Sequence, residues 1–528
     1  MKNMLGVMLD CSRNAVMSVQ GVKNYAKIIS KMGYNTLMLY TEDTYEIPSQ
    51  PYFGHLRGRF SQQELREIDA YCAGIGVELV PCIQTLAHLE NMFKWYTEYE
   101  EVRDCDEILL AGEEKTYRLI ESMIESCAQS FSSRKIHIGM DEAYRVGLGK
   151  YLKKHGFSDR FNVINDHLHR VCEITDKYGF EPMIWSDMFC KLALNTNTQY
   201  ADVDTEAILQ KAQLPQNITL VYWDYYSTDY DRYVRMIRTN KLFGRKVVFA
   251  GGAWTWKSFA PRNCYSIEAT RAALRACRDE GVDGVFMTVW GDDSTECSKY
   301  SILPTLMQAS AALEGITDEG EIKARFEQAV GADYDSFMLF DEIDKAQVDP
   351  KAYLGKCFLY NDLLLGTRNY LCSDTDREYY SALTDKLHNA PHKGGFEYLF
   401  DSYECLSKVL ELKCDLSVRI KRAYLDCDIA ALKEAIRDCE KVLMGLSDFY
   451  DAYHTAWMQE NKPHGLDVFD IRIGGLMQRI VSCKTRLEQF ISGEVESIPE
   501  LLEPDLPAPN GGAHWHRISS PNQFTYGN

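Results

Sequence analysis

The sequence predicts a (β/α)8 barrel followed by an α-helical C-terminal domain. Three observations predict it. Eight short apolar runs lie before about residue 315, amphipathic stretches of helical period separate them, and polar, charged or aromatic residues follow every run at the same end. Continuous apolar strands alternating with helices form a parallel sheet covered on both faces, and eight such units are the number that closes a barrel. A doubly wound open sheet is the alternative.

The strands are expected at 4–9, 36–40, 77–82, 135–138, 182–185, 219–223, 246–250 and 284–289. Helical patterns fall near 18–32, 62–75, 114–129, 159–178, 229–239, 265–280 and 301–313, and Gly33 and Gly76 stand where helix-stopping glycines stand. The fifth helix, near 204–212, is short and weakly patterned, so 186–217 is read as partly loop. The barrel is assigned 1–317. From 318 the strand patterns fade, and long amphipathic stretches at 396–425, 429–454 and 465–491 predict a helical domain over 318–495. The remainder, 496–528, is rich in Pro, Gly and Asn and is read as an extended arm.

Composition narrows the partners. A net charge of -19 argues against nucleic acid or an anionic membrane surface. No stretch of about 18 apolar residues predicts a membrane span. The short apolar run at the N-terminus ends at Asp10 and is read as a strand rather than a signal peptide. The 17 cysteines are odd in number and dispersed, which fits reduced core thiols and a cytoplasmic location. The 12 histidines are scattered and no His-Glu-x-x-His appears, so neither metal nor cofactor is expected.

In such a barrel the catalytic groups gather just past the strands' C-terminal ends. In strand order the sequence there offers Asp10 and Arg13; Glu42 and Asp43; Gln84 and His88; Asp141 and Glu142; Trp185 and Asp187; Trp223, Asp224, Tyr225 and Tyr226; Trp254 and Trp256; and Trp290, Asp292 and Asp293. Five of the eight tryptophans lie at these ends. A cleft of indoles and carboxylates suits a sugar, whose ring faces stack on aromatics while its hydroxyls need charged partners; some of the five are expected to be core aromatics instead. Glycoside cleavage needs an acid for the leaving oxygen and a stabiliser for the oxocarbenium-like centre. Here the prominent carboxylates, Asp141 and Glu142, are neighbours in sequence. Neighbouring side chains on a strand diverge, so the two are expected to serve different parts of the substrate, as substrate-assisted chemistry requires. A helix-capping acidic pair is the bland alternative.

These residues resemble a family. His137-Ile138-Gly139-Met140-Asp141-Glu142 is similar to the His-x-Gly-Gly-Asp-Glu motif of the family 20 glycoside hydrolases, the exo-β-N-acetylhexosaminidases. Asp10 to Arg13 resembles the family's first-strand segment, Thr41-Glu42-Asp43 its Thr-Asp-Asp, His88 its Pro-Gly-His histidine, and Trp290-Gly291-Asp292 its Trp-x-Glu; Trp185 and Trp223 resemble its pocket tryptophans. The likeness covers roughly 4–315. The chain departs from the pattern where Met140 replaces a glycine, where Gln84-Thr85-Leu86-Ala87 precedes the histidine, and where Asp292 is shorter than the usual Glu. With the first strand expected at residue 4, the family's usual accessory domain before the barrel is not expected here.

The resemblance implies that Asp141 holds the substrate's 2-acetamido group and stabilises an oxazolinium intermediate. It implies that Glu142 protonates the leaving oxygen, with a pKa raised by apolar neighbours and by Asp141. It further implies that Arg13, Glu42 and Asp292 bind hydroxyls and that a tyrosine, Tyr225 or its neighbour Tyr226, meets the acetamide oxygen. His88 is either a partner of the carboxylates or a satisfied buried histidine; His137 is read as structural. The expected partner is an oligosaccharide or glycoconjugate ending in an amino sugar, with a homodimer possible through the turn at 461–465. The remaining alternatives are a glycosidase with separated carboxylates, Glu42 or Asp292 as nucleophile, and a silent sugar-binding barrel. Two segments receive bland readings: the acidic stretch 98–106 as a solvated loop, and 53–59 as a surface loop that could instead rim the substrate entrance.

Overall fold

A computed structural model describes residues 4–189, 213–345, 351–506 and 513–520. Eight parallel strands close into a barrel in the order β1-β10-β9-β8-β7-β6-β3-β2. They are β1 (Met4–Asp10), β2 (Thr36–Tyr40), β3 (Glu78–Cys82), β6 (Lys135–His137), β7 (Glu181–Trp185), β8 (Thr219–Trp223), β9 (Lys246–Gly252) and β10 (Gly284–Val289). Closure is made by β1 against β10, with Leu5 opposite Val285 and Leu9 opposite Val289. All five residues of β2 and all six of β10 are buried, which is why these strands read as unbroken apolar runs rather than alternating ones.

The barrel helices start and stop where local chemistry directs. Ser18 caps Val19–Lys31 by accepting from the Gly21 N–H. Ser61 and Glu64 form a reciprocal capping box on Gln62–Gly74. Gly33 and Gly76 follow these two helices with φ of 94° and 76°, conformations a side chain would disfavour. The other expected helices appear as Glu114–Ser130, Arg160–Lys177, Tyr230–Lys241, Asn263–Glu280 and Leu303–Glu314. The expected short helix near 204–212 lies outside the described residues.

Two corrections concern the acidic stretch 98–106. It carries half of a small antiparallel pair, β4 (Arg103–Cys105) with β5 (Ile108–Leu109). Its Asp104 is buried and accepts from the Gly147 N–H at 2.8 Å and the Tyr151 N–H at 2.7 Å. A carboxylate that satisfies two backbone donors is a structural staple and not a solvated charge.

The chain divides into two compact units. The first comprises Met1–Ala253, Ser266–Trp290 and Thr305–Ile322; the second Trp254–Tyr265, Gly291–Pro304 and Lys323–Asn528. The second unit is helical, with Glu397–Lys413, Leu416–Leu425, Ile429–Glu460 and Leu466–Ser492 as its long members. An aromatic cluster fills it: Tyr453 stacks on Phe469 at 3.9 Å, and Phe259 meets Phe449 edge-on at 5.7 Å. The extended arm expected over 496–528 carries two helical turns among its described residues, Pro499–Leu502 and Trp515–Ser519. All described cysteines are free thiols. No helix among the described residues is long and apolar enough to cross a membrane.

Candidate active site

The loops after β1, β2, β3 and β6 converge on one carboxylate, Asp141. Its residue is only 8% exposed, and both of its oxygens are engaged. Oδ1 accepts from Gln84 Nε2 at 2.7 Å, and Oδ2 lies 3.3 Å from His88 Nε2. Burial alone would raise its pKa. The charge of His88 beside it, together with the hydrogen bond from Gln84, outweighs burial and holds the carboxyl below the ordinary value. The reciprocal effect falls on His88. Burial disfavours its cation, yet the Asp141 carboxylate beside it, helped by Glu42, lifts the ring to about 10. Its place 3.3 Å from Asp141 and the upward direction of this shift both point to His88 as a partner of the carboxylates. The same Nε2 stands 3.8 Å from Glu142 Oε2, and Nδ1 stands 3.8 Å from Glu107 Oε2.

Glu142 is the more open of the two carboxylates. Its side chain is 36% exposed, its Oε1 accepts from the Tyr144 hydroxyl at 3.0 Å, and its backbone N–H points to Asp187 Oδ2 at 3.4 Å. The apolar enclosure expected around this carboxyl is thus replaced by a tyrosine hydroxyl and an open side. The reason expected for the pair's divergence also needs correction. β6 ends at His137, so strand alternation does not act on residues 141 and 142. They sit in a loop where Gly139, Met140 and Glu142 have φ of 71°, 71° and 52°. A Cβ on Gly139 would collide with Gln84 Oε1 and stand 2.9 Å from the Ile83 carbonyl. Glycine here lets Gln84 Oε1 reach the Met140 N–H at 3.0 Å while its amide holds Asp141. Met140 takes the left-handed conformation without being glycine. Its side chain is 1% exposed, so burial of about 2 kcal/mol offsets a strain of about 1–2 kcal/mol.

Glu42 is buried beside this centre, with φ of 46°. Its Oε1 accepts from the Tyr40 hydroxyl at 3.1 Å and lies 3.6 Å from Arg13 Nη1. Burial raises it to about 7, against the lowering pull of Arg13 and His88. Arg13 also reaches Asp10 at 3.4 Å. Glu42, His88, Met140 and Glu142 are four of the described non-glycine residues with positive φ. Strain of this kind gathers where geometry is held for a task.

An aromatic wall stands in the same unit. Trp185 is fully buried, lies 4.4 Å from His137 and 6.2 Å from Trp290. Trp290 meets Tyr40 edge-on at 4.7 Å. Tyr225 stacks on Trp223 at 5.1 Å, and its hydroxyl meets the Trp290 and Thr288 side chains. Only a glycine at 252 allows this, since a Cβ there would lie 2.9 Å from the Tyr225 ring. Of the two candidate tyrosines, Tyr225 is buried within reach of the Asp141 charge, whereas Tyr226 is 50% exposed. His137 is buried and uncharged: desolvation drives it down to about 3, and its Nδ1 accepts from the Gly139 N–H at 3.1 Å.

Trp254, Trp256 and Asp292 fall in the second unit. There Trp254 and Trp256 stack at 4.6 Å and are both buried. Asp292 is exposed, and its neighbour Asp293 pairs with Lys356 and Arg472. Sequence reasoning missed Tyr40, Glu107 and Tyr144 as members of the site, and noted Gln84 and Asp187 without assigning them a role. Tyr40 hides at the end of an apolar run, and nothing in the spacing of Glu107 shows that its loop turns back to His88.

Two family models match this chain. Residues 5–250 match the glycosyl hydrolase family 20 catalytic domain, and residues 335–517 match the glycoside hydrolase 20C C-terminal domain. Among curated relatives, the chain is similar to hexosaminidase D of Bos taurus, at 26% identity over 43% of this chain and 63% of that protein. It is also similar to hexosaminidase D of Homo sapiens, at 25% over 40% and 42%. The matched segments therefore span less than two thirds of the length of either relative. Among solved structures, the β-N-acetylhexosaminidase from Bacteroides fragilis aligns with a TM-score of 0.47 and 20% identity, over 62% of this chain and 71% of that one.

Proposed function

The chain belongs to family 20 of the glycoside hydrolases, and from that footing we propose that it is an exo-acting β-N-acetylhexosaminidase. It removes terminal non-reducing β-linked GlcNAc or GalNAc with retention, the sugar's own acetamide oxygen attacking the anomeric carbon. The observation that carries this reading is the asymmetry of the carboxylate pair. Asp141 is buried, held ionised and fixed through both oxygens, yet a carboxylate has further lone pairs free to accept an acetamide N–H. Such a fixed anion suits stabilising a positive oxazolinium and, held below its ordinary pKa, is a poor proton donor. Glu142, adjacent and on the open side, is placed to protonate the leaving oxygen and then deprotonate water. Tyr225 is the proposed partner of the acetamide oxygen. Arg13 and Glu42, already coupled, would take hydroxyls, and Trp185, Trp223 and Trp290 would wall the ring.

The test is hydrolysis of aryl β-GlcNAc and β-GalNAc. Turnover of at least one is expected, and no turnover of either by the intact protein would overturn the proposal. Glu142→Gln should slow substrates with poor leaving groups by about 100-fold or more while sparing activated aryl glycosides, because only the former need the proton. Asp141→Asn should slow both kinds alike.

A further inference from the structure

Outside the carboxylate centre, the loops after β2 and β3 bring three aromatic rings together that no step above uses. Trp95 meets His55 edge-on at 5.0 Å and Tyr52 at 5.9 Å, and Tyr52 meets His55 at 5.7 Å. Tyr52 is 39% exposed, Trp95 and His55 are half-buried, and Leu56 and Tyr96 beside them are 72% and 62% exposed.

These rings are not what holds the loops. The first loop is pinned by buried Phe53 packed on Tyr45. Arg59 adds hydrogen bonds to the carbonyls of Pro51 and Phe53, and Arg57 bonds Asp43 Oδ1 at 2.9 Å. The second loop is tied across to its returning strand, the Leu89 N–H donating to the Glu107 carbonyl at 3.2 Å and the Leu109 N–H to the Leu86 carbonyl at 2.8 Å. The loops thus have anchors other than these rings, and a cluster of partly exposed aromatic surface at a loop tip marks a binding face.

Both loops also tie the cluster to the carboxylates. Gly54 packs so closely on the Asp43 carbonyl that a Cβ would collide with it, and Asp43 follows Glu42 directly. On the other side, Trp95 lies one short helical turn beyond His88, the partner of Asp141. The cluster stands at the C-terminal end of the barrel strands, where substrates approach.

We infer that Tyr52, His55 and Trp95 form a platform that binds the leaving-group sugar ring of an oligosaccharide substrate. This rests on the hydrolase reading above and extends it from the cleaved residue to the next one. A pyranose ring presents an apolar face to an indole or phenol and hydroxyls to an imidazole, which matches two hydrophobic rings with a polar one between them.

The test compares two substrates in purified full-length protein: a disaccharide of β-linked N-acetylglucosamine, and N-acetylglucosaminyl fluoride, whose leaving group has no ring. Trp95→Ala should raise KM for the disaccharide by about five-fold and leave kcat/KM for the fluoride unchanged. Tyr52→Ala should act in the same direction and Trp95→Phe should restore most of the loss. Equal effects on both substrates, or no effect on the disaccharide, would overturn the platform. Calorimetry in a Glu142→Gln background repeats the comparison without turnover, disaccharide against N-acetylglucosamine. Wild-type protein inert toward both substrates would sink the hydrolase reading alone. The platform is then decided by binding: disaccharide affinity weakened by Trp95→Ala supports it, and unchanged affinity overturns it.

Discussion

His88 carries the electrostatics of the centre on one ring. It stands between Asp141, Glu142 and Glu107, at 3.3, 3.8 and 3.8 Å, and the Asp141 carboxylate raises its pKa to about 10. An unfolded histidine titrates near 6.5. A group whose folded pKa is raised contributes stability that is complete below the unfolded value and lost as pH climbs through the folded one. The difference in unfolding free energy between the wild type and His88→Gln should therefore be greatest below about pH 6.5, on the order of a few kcal/mol. It should shrink steadily towards pH 10. Denaturant titrations across that range measure it, and a difference that stays flat would show the ring to be neutral. Much of this residue-scale picture was legible in the sequence: Asp141, Glu142, Glu42, Arg13 and His88 all follow apolar runs. The charge on His88 was not, because it depends on Asp141, which lies 53 positions further along the chain and meets it only in the fold.

At the scale of elements, the loop after β6 holds Asp141 and Glu142 by a geometry other than the one their adjacency in sequence suggested. Adjacency alone suggested divergent side chains, but the strand stops at His137 and three positive φ angles turn the chain instead. Dihedrals of that kind announce themselves only when the residue is glycine, and here two of the three positions are Met140 and Glu142. Gly139 is the hinge of the arrangement, since Gln84 both meets the Met140 N–H and orients Asp141. Gly139→Ala should displace Gln84 and misplace Asp141. We expect kcat on aryl glycosides to fall at least ten-fold and stability to drop by on the order of 2 kcal/mol. Unaltered kinetics in a folded variant would show that Gln84 does not orient Asp141. The hairpin at Arg103–Leu109 teaches the same lesson. Acidic composition suggested a solvated loop, whereas Asp104 is consumed by two backbone donors from a segment more than forty residues away.

Across the whole molecule, the second unit rests on a buried ionic network. Lys356, 1% exposed, lies 2.6 Å from Glu296 and 2.8 Å from Asp293. Arg472 lies 2.6 Å from Glu296 and 3.1 Å from Asp293, and the Trp515 N–H donates to Asp293 at 2.6 Å. Despite burial, His514, Lys356 and Arg472 hold the Asp293 carboxyl far below its ordinary pKa. Removing one partner from such a network leaves buried charge unpaired, so Lys356→Met should cost about 3–5 kcal/mol, read as a lowered unfolding midpoint. A variant as stable as the wild type would show that the remaining arginine suffices. None of this was readable beforehand, because its members come from stretches far apart in sequence. The barrel strands, by contrast, need only local patterning to be seen. Assembly from three separated stretches has a further consequence. Arg262 finds Asp344 82 positions later, and Phe259 finds Phe449 and Phe469 later still. As the polypeptide leaves the ribosome, the segments around 254–265 and 291–304 emerge before the helices that bury them exist. For that interval their apolar rings and unpaired charges are left to chaperones, and no single cut in the coding sequence separates one unit from the other.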